Sequence, residues 1–211
     1  MRVLSLSPRD PVDPASRGSL ARPALRVYGP QDAGRSAVED FIRGVYRERY
    51  DADVQQFAPV LVSQRDEDGT LVAAAGYRSA DGGPLFLERY LDAPVERLLA
   101  TASQGAPHRS RVVEVGHLAA GRAGAGRRLI LLLGPHLAAQ GLQWVVSTLT
   151  EELRHLFARL GIAPLALGVA DPGVLGAEAA RWGSYYDHRP LVLAGRIEPA
   201  LEMLARRGLA A

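Results

Sequence analysis

Cysteine is absent from the 211 residues, which excludes a disulfide scaffold, a thiolate nucleophile and a cysteine metal site. Lysine is absent as well, so all 25 basic residues are arginine. That removes Schiff-base chemistry and a P-loop lysine. Charge of one sign is scarce too. The formal net charge is only +2, and no patch of base-stacking aromatics sits among the arginines, so nucleic acid is not an expected partner. Long apolar runs are missing. The one that matters, Leu129 to Leu133, stops at Gly134 and Pro135, far short of the roughly 20 apolar residues that span a bilayer. No transmembrane segment is expected. The opening MRVLSLSPRDPVDP has no apolar core of signal-peptide length and is broken by Pro8 and Pro11. A soluble cytoplasmic protein is therefore the expectation.

What is present is enough apolar material, 47% of residues, for a real core. Residues 1–24 carry Pro8, Pro11, Pro14 and Pro23 and read as a flexible leader. Residues 25–200 read as one domain and 201–211 as a C-terminal helical tail. Leu25 to Tyr28 suggests a first strand. Asp32 to Tyr50 predicts a helix capped by Asp32, with Val38, Phe41, Ile42, Val45 and Tyr46 at helical spacing. Phe57 to Ser63 and Leu71 to Tyr77 flank a turn at Asp66 to Gly69, an antiparallel meander. Leu85 to Leu91 reads as strand or short helix, and Pro94 to Ala102 as a helical turn. A strand at Arg111 to Leu118 leads into a glycine turn at Ala119 to Arg127. A helix follows at Arg128 to Gln140, with a kink expected at Pro135. Then come a strand at Leu142 to Leu149, a helix at Glu151 to Leu160 stopped by Gly161, and a strand at Leu165 to Val169. Asp171 to Arg181 reads as loop with some helix, Arg189 to Ile197 as the last strand, and Glu198 to Gly208 as a short helix. This order predicts an α/β (or α+β) layer fold with a mixed sheet.

The stretch VVEVGHLAAGRAGAGRRLILLL, Val112 to Leu133, draws the most attention. An apolar strand, a glycine turn, two arginines and an apolar helix follow one another. Glycines let backbone approach a ligand, and a helix N-terminus supplies orphan N–H donors and partial positive charge. Gly121, Gly124 and Gly126 do not make a Rossmann fingerprint. They lie after a meander, and Glu151 and Glu152 open a helix rather than end a strand. Ser147 and Thr148 have no GxSxG elbow around them, which argues against a serine hydrolase. His108, His136, His155 and His188 show no paired ligand spacing, so no metal site is expected. Within the strand, Glu114 is a carboxylate among apolar residues. Strict alternation would put Val113, Val115 and His117 on one face, and Glu114 and Gly116 on the other. Glu88, beside Arg89 in FLERY, is a second candidate carboxylate. Tyr185 and Tyr186 follow Trp182 and Gly183, where they could pack the core edge or line a pocket.

A helix, a meander, a strand ending in a glycine turn, a helix, a strand and the helix ending FARLGI resemble the GNAT acyltransferase superfamily. RVVEVGHLAA is similar to the corresponding strand of autoinducer synthases, which are GNAT relatives. Nearer still, VEDFIRGVYRERYDADV, LVAAAGYR, PLFLERYLDAPVE, VVEVGHLAA, WVVSTLTEELRHLFARLG and WGSYYDHRPLVLAGRI resemble the thermostable haemolysin family. The resemblance covers about Val38 to Ile197. It implies a GNAT-like fold and N-acyl transfer from acyl-CoA or an acyl-carrier protein to a small amine, with no tightly bound cofactor. Implied donor contacts are Val115, Gly116, Leu118, Arg122, Gly124, Ala125, Gly126 and Arg127. The turn departs from the superfamily pattern, with Gly121 at the first position and Arg122 one place late. Implied catalytic groups are Glu114, Glu88, His117 and Tyr185. Many GNAT enzymes carry a proton-donating tyrosine where Phe157 stands, so that role is empty or moved, and the Tyr185 hydroxyl could protonate a leaving thiolate. The family name leaves a membrane-active or lipid-binding protein as the alternative reading.

Overall fold

The acidic turn sets the first hairpin: Asp66 takes the Gly69 N–H on its carbonyl and the Thr70 N–H on its carboxylate, at 3.1 and 2.8 Å. The computed structural model describes residues 25–100 and 105–209, so the expected leader lies outside the described residues. The described chain runs β1 (Arg26–Tyr28), α1 (Arg35–Tyr50), β2 (Val60–Arg65), β3 (Leu71–Ser79), α2 (Val95–Leu99), β4 (Val112–Ala120), α3 (Ala125–Ala139) and β5 (Trp144–Leu149). It continues with α4 (Glu151–Leu160), β6 (Leu165–Val169), β7 (Leu191–Arg196) and α5 (Ile197–Arg206). Short 3₁₀ segments at Phe86–Tyr90, Pro172–Trp182 and Tyr185–His188 complete it.

All seven strands form one sheet in the order β1-β2-β3-β4-β5-β7-β6. Every neighbouring pair is antiparallel except β4 with β5. One face, carrying Val62, Ala75, Val113 and Val115, packs on α3 and α5 through Leu129, Leu133, Leu137 and Ile197. Burying each such side chain is worth roughly 1.5–3 kcal/mol relative to exposure. The opposite face is covered in two pieces. Val38, Ile42, Tyr46 and Tyr50 of α1 cover Leu61, Ala74 and Ala119. Leu85, Leu87, Val95 and Leu99 cover Val112, Trp144 and Val146.

Two expectations shift and one open choice is resolved. Asp32 does not cap α1; its carboxylate takes the Gly29 N–H at 2.7 Å, and the helix starts at Arg35 behind Gly34. Of the strand or short helix expected at Leu85 to Leu91, the helix forms, a 3₁₀ segment over Phe86–Tyr90 in which Glu88 turns back on the Leu85 N–H at 2.8 Å. Helix α3 begins three residues earlier than expected and continues through Pro135. That proline is exposed, so its ring meets solvent rather than the core.

Candidate active site

Strand β4 is built as two different halves. Toward β3 it pairs along its length, with Arg78 opposite Glu114, Gly76 opposite Gly116 and Ala74 opposite Ala119. Toward β5 it pairs only over Val112, Val113 and Glu114. Beyond Glu114 the two parallel strands part, and the Val115–Leu118 peptides have no ladder partner on that side. The pairing with β3 also slips here: His117 and Leu118 together face Ala75. His117 takes φ 52°, a left-handed conformation uncommon outside glycine, and this is a β-bulge. The bulge overturns the alternation expected from sequence. His117 lies on the face of Glu114, not with Val113 and Val115, and its ring fills the space beside Gly76, where an added Cβ would meet Nδ1 at 3.0 Å.

On that face opens a cleft of about 1120 Å³, counting the space open to solvent at its mouth. Its floor is Arg78, Glu114 and the Val115–Leu118 peptides, and its walls are largely aromatic: Tyr50, Phe86, Tyr90, Trp182, Tyr185 and Tyr186. The far wall is pinned by close approach. Gly183 sits against the end of α1 so tightly that an added Cβ would lie 2.0 Å from the Tyr50 carbonyl oxygen, and the Ser184 N–H donates to that same oxygen at 2.8 Å. On the opposite face lies a second, almost wholly apolar cavity of about 680 Å³, lined by Leu133, Leu137, Phe157, Ile162, Ile197 and Leu201. Val115 and Leu118 line both cavities.

The two candidate carboxylates are placed differently. Glu114 lies in the cleft, and each of its oxygens takes a backbone N–H, from Phe86 at 2.9 Å and Leu87 at 3.0 Å. Its charged neighbour is Arg78, with Nε 3.5 Å from Oε2. Burial lifts its carboxyl above the usual range, against the pull of the Phe86 N–H, Arg78 and the Leu87 N–H. Such a carboxylate holds a loop and remains a better proton acceptor than a free one. Glu88 does not line the cleft. It takes the Leu85 and Val95 N–H groups and two N–H groups of Arg109, at 2.8 and 3.2 Å. Arg109 also binds Glu96 at 2.6 Å and the carbonyls of Ala80 and Gly83. Burial opposes the Glu88 charge, but Arg109 and the two N–H groups outweigh it and hold the carboxyl below its ordinary value. The expected partner Arg89 binds Glu178 instead, at 2.7 Å. Glu88 is thus the hub of the segment that covers Val112 and Trp144.

His117 donates from Nε2 to the Gln56 carbonyl at 3.1 Å, and its Nδ1 is buried without a partner among the described residues. Burial, with Arg78 and Arg35 nearby, depresses its pKa to about 4 despite the Gln56 contact. The imidazole is neutral at pH 7. Tyr185 is buried against Tyr46 and Tyr50, and its hydroxyl donates to the Thr148 carbonyl, 3.3 Å away, on the stretch of β5 that pairs with β7 but not with β4. Burial and the surrounding tyrosines push that hydroxyl well above its ordinary value. It faces the parted strands from the β5 side.

The donor-side residues gather where β4 ends. Gly124 takes φ 81° at the start of α3, with open space where its Cβ would be. No side chain caps this helix and its first turn has no acid, while Arg127 and Arg128 sit there exposed. Two cations at the positive end of a helix are unfavourable unless an anion joins them. Arg122 pairs with Asp66 across the first hairpin turn. Arg78 and Tyr90, whose hydroxyl lies 2.6 Å from that of Tyr186, were not singled out by sequence reasoning. Arg78 is a lone charge closing an apolar strand; only the register opposite Glu114 marks it.

A family model described as thermostable hemolysin matches residues 28–201. The chain belongs to the thermostable haemolysin family. Among solved structures it is similar to TofI in an apo form, 18% identical, covering 86% of this chain and 95% of that one with a TM-score of 0.58. It is similar to the AHL synthase LasI, 16% identical over 83% and 91% of the two chains, TM-score 0.54. It is similar also to FeeM, an N-acyl amino acid synthase from uncultured soil microbes, 12% identical over 86% and 96%, TM-score 0.58. No curated protein matches significantly. The haemolysin-family chain thus shares its fold with these proteins, the mixed sheet flanked by helices expected from a GNAT-like order of parts. Among its described residues no helix is long and apolar enough to cross a membrane, and no cluster of three or more His, Asp or Glu side chains could hold a metal.

Proposed function

We propose that this protein is a cytoplasmic N-acyltransferase that moves an acyl group from an acyl thioester, carried by coenzyme A or a carrier protein, to an amine. The observation that carries the reading is the parted β4–β5 pair leading straight into an uncapped, arginine-bearing helix N-terminus. Phosphate of the pantetheine arm rests on the Gly126 and Arg127 N–H groups, with Gly124 and Ala125 giving close approach and Arg127 and Arg128 supplying charge. The thioester lies along Val115, Gly116 and Leu118, where the peptide N–H groups that point to the parted side polarise its carbonyl, a contribution often worth ~10²–10³ in rate per donor. The apolar cavity behind Val115 and Leu118 takes the acyl chain. An ammonium acceptor enters the aromatic cleft and gives one proton to Glu114. The neutral amine attacks the carbonyl carbon, the C–N bond forms, and the C–S bond breaks. The leaving sulfur takes a proton from Tyr185, which is restored from the nitrogen through solvent. The name of FeeM, an N-acyl amino acid synthase, and the synthase name of LasI agree with this class of chemistry.

The apolar run Leu129 to Leu133 does not support membrane insertion. Leu129 and Leu133 point into the core against the sheet. The decisive experiment is calorimetry of acyl-CoA binding to the wild type and to Gly126→Val, with mass spectrometry of acyl transfer to a panel of amines. Saturable binding that the variant loses, with amide product formed only by the wild type, is the expected result. Equal binding by both proteins sinks the cradle. Thioester-independent binding to liposomes, without any transfer, would instead favour the lytic reading.

A further inference from the structure

Two arginines line the cleft, Arg78 and Arg181, and of these Arg78 is the half-buried one. Arg78 stands on the floor directly opposite Glu114. Its sole ion pair among the described residues is the 3.5 Å contact from Nε to Glu114. Glu114, meanwhile, already takes one backbone N–H on each oxygen, which leaves a second lone pair on each for a further donor. The terminal nitrogens of Arg78 have no partner among the described residues, yet the side chain is only 33% exposed and its surroundings are mainly aromatic. A guanidinium with a free fork in such a place is arranged for a carboxylate. Of the other charged groups of the cleft, Glu178 is held by Arg89, Asp53 accepts from Gln55, and Arg181 is exposed to solvent rather than half-buried on the floor.

We propose that the acceptor is a free α-amino acid with a large apolar or aromatic side chain, its carboxylate on Arg78 and its ammonium on Glu114. This rests on the acyltransferase reading and narrows it. The fit is geometric. Amine nitrogen and carboxylate oxygen of an α-amino acid are three bonds apart, which sets them about 3 Å from each other. That matches the cation and anion standing 3.5 Å apart on the floor, in opposite order of sign. The side chain then projects toward Phe86, Tyr90, Trp182 and Tyr186, where Phe86 and Trp182 lie 6.0 Å apart, centroid to centroid. The net step joins amino acid and acyl thioester into an N-acyl amino acid and a thiol, releasing one proton.

The test compares phenylalanine with phenethylamine, which lacks only the carboxylate, as acceptors for one acyl-CoA. Wild-type kcat/KM should favour phenylalanine by about 100-fold or more, as expected where a site built to bind a polar group meets an analogue lacking it. Arg78→Gln should collapse that ratio to within about 3-fold by raising KM for phenylalanine, and Arg78→Lys should restore part of it. Comparable use of the two acceptors by the wild type overturns the proposal. So does an equal fall for both acceptors in Arg78→Gln, which would assign Arg78 to the thioester oxyanion. Alanine serving as well as phenylalanine overturns the side-chain assignment. If no amine of any kind is acylated, the transferase reading falls, and this inference with it.

Discussion

Lowering the pH from 7 to 4 should cost this protein stability through one residue, His117. The imidazole sits at the β-bulge with Nδ1 buried and unpartnered among the described residues, near Arg78 and Arg35, and its folded pKa is about 4 against 6.5 when free. The unfolded chain therefore binds a proton at that residue before the folded one does. Stability is lost as pH falls from about 6.5 to about 4 and levels off below. At about 1.4 kcal/mol per pKa unit the shift makes roughly 3 kcal/mol. Glu114 works in the opposite sense. Its folded pKa is raised by burial, so its contribution is present below 4.5 and is lost as pH rises through the folded value. A single pH curve would mix the two. The clean measurement is the difference between wild type and His117→Asn, followed by urea unfolding from pH 7 to pH 4. Asparagine tolerates the left-handed φ that the bulge demands and does not titrate. Wild type should lose roughly 3 kcal/mol more than the variant over that interval. Parallel curves would mean that His117 is solvated or paired, and the description of the bulge would be wrong.

Two further substitutions probe the cleft. In Glu114→Gln one of two acceptor oxygens becomes an NH₂, leaving the Phe86 or the Leu87 N–H without a partner. That should cost ~1–3 kcal/mol, seen as a fall of roughly 2–4 °C in Tm per kcal/mol, and turnover should drop ~10²–10⁴-fold if the carboxylate is the base. An unchanged Tm would remove it as the loop's clamp, and unchanged turnover would remove it as the base. Gly183→Ala drives a Cβ onto the Tyr50 carbonyl at a φ of 51°; backbone strain of ~1–3 kcal/mol should lower Tm and shift Trp182 fluorescence as the aromatic wall moves. A variant with native fluorescence and stability would contradict the close approach.

Much of the fold was legible because it rests on short-range signals. Gly161 ends α4 where expected, and Leu165 to Val169 is the strand expected. The acidic turn fixed the register of the first hairpin. The site was less legible, because it depends on contacts between distant segments. A bulge costs one residue of register, and nothing in VGHLAA announces which residue absorbs it. Alternation therefore misplaced His117 by one face. Glu88 and Glu114 look alike in sequence, as carboxylates in apolar runs. Only Arg109, 21 residues from Glu88, and the Phe86–Leu87 peptides, 27 or more residues from Glu114, separate their roles.

Val115 and Leu118 line the aromatic cleft on one face of the sheet and the apolar cavity on the other, so the sheet acts as a septum one strand thick. In the proposed reaction, head group and tail of the product come to lie on opposite sides of it. Such a molecule is threaded, like a bead held on a needle. It leaves only when its tail is drawn back between the parted strands, and each added methylene deepens the hold by about 0.8 kcal/mol. Turnover on long chains would then be set by withdrawal rather than by bond making, and chain length would be felt as a residence time.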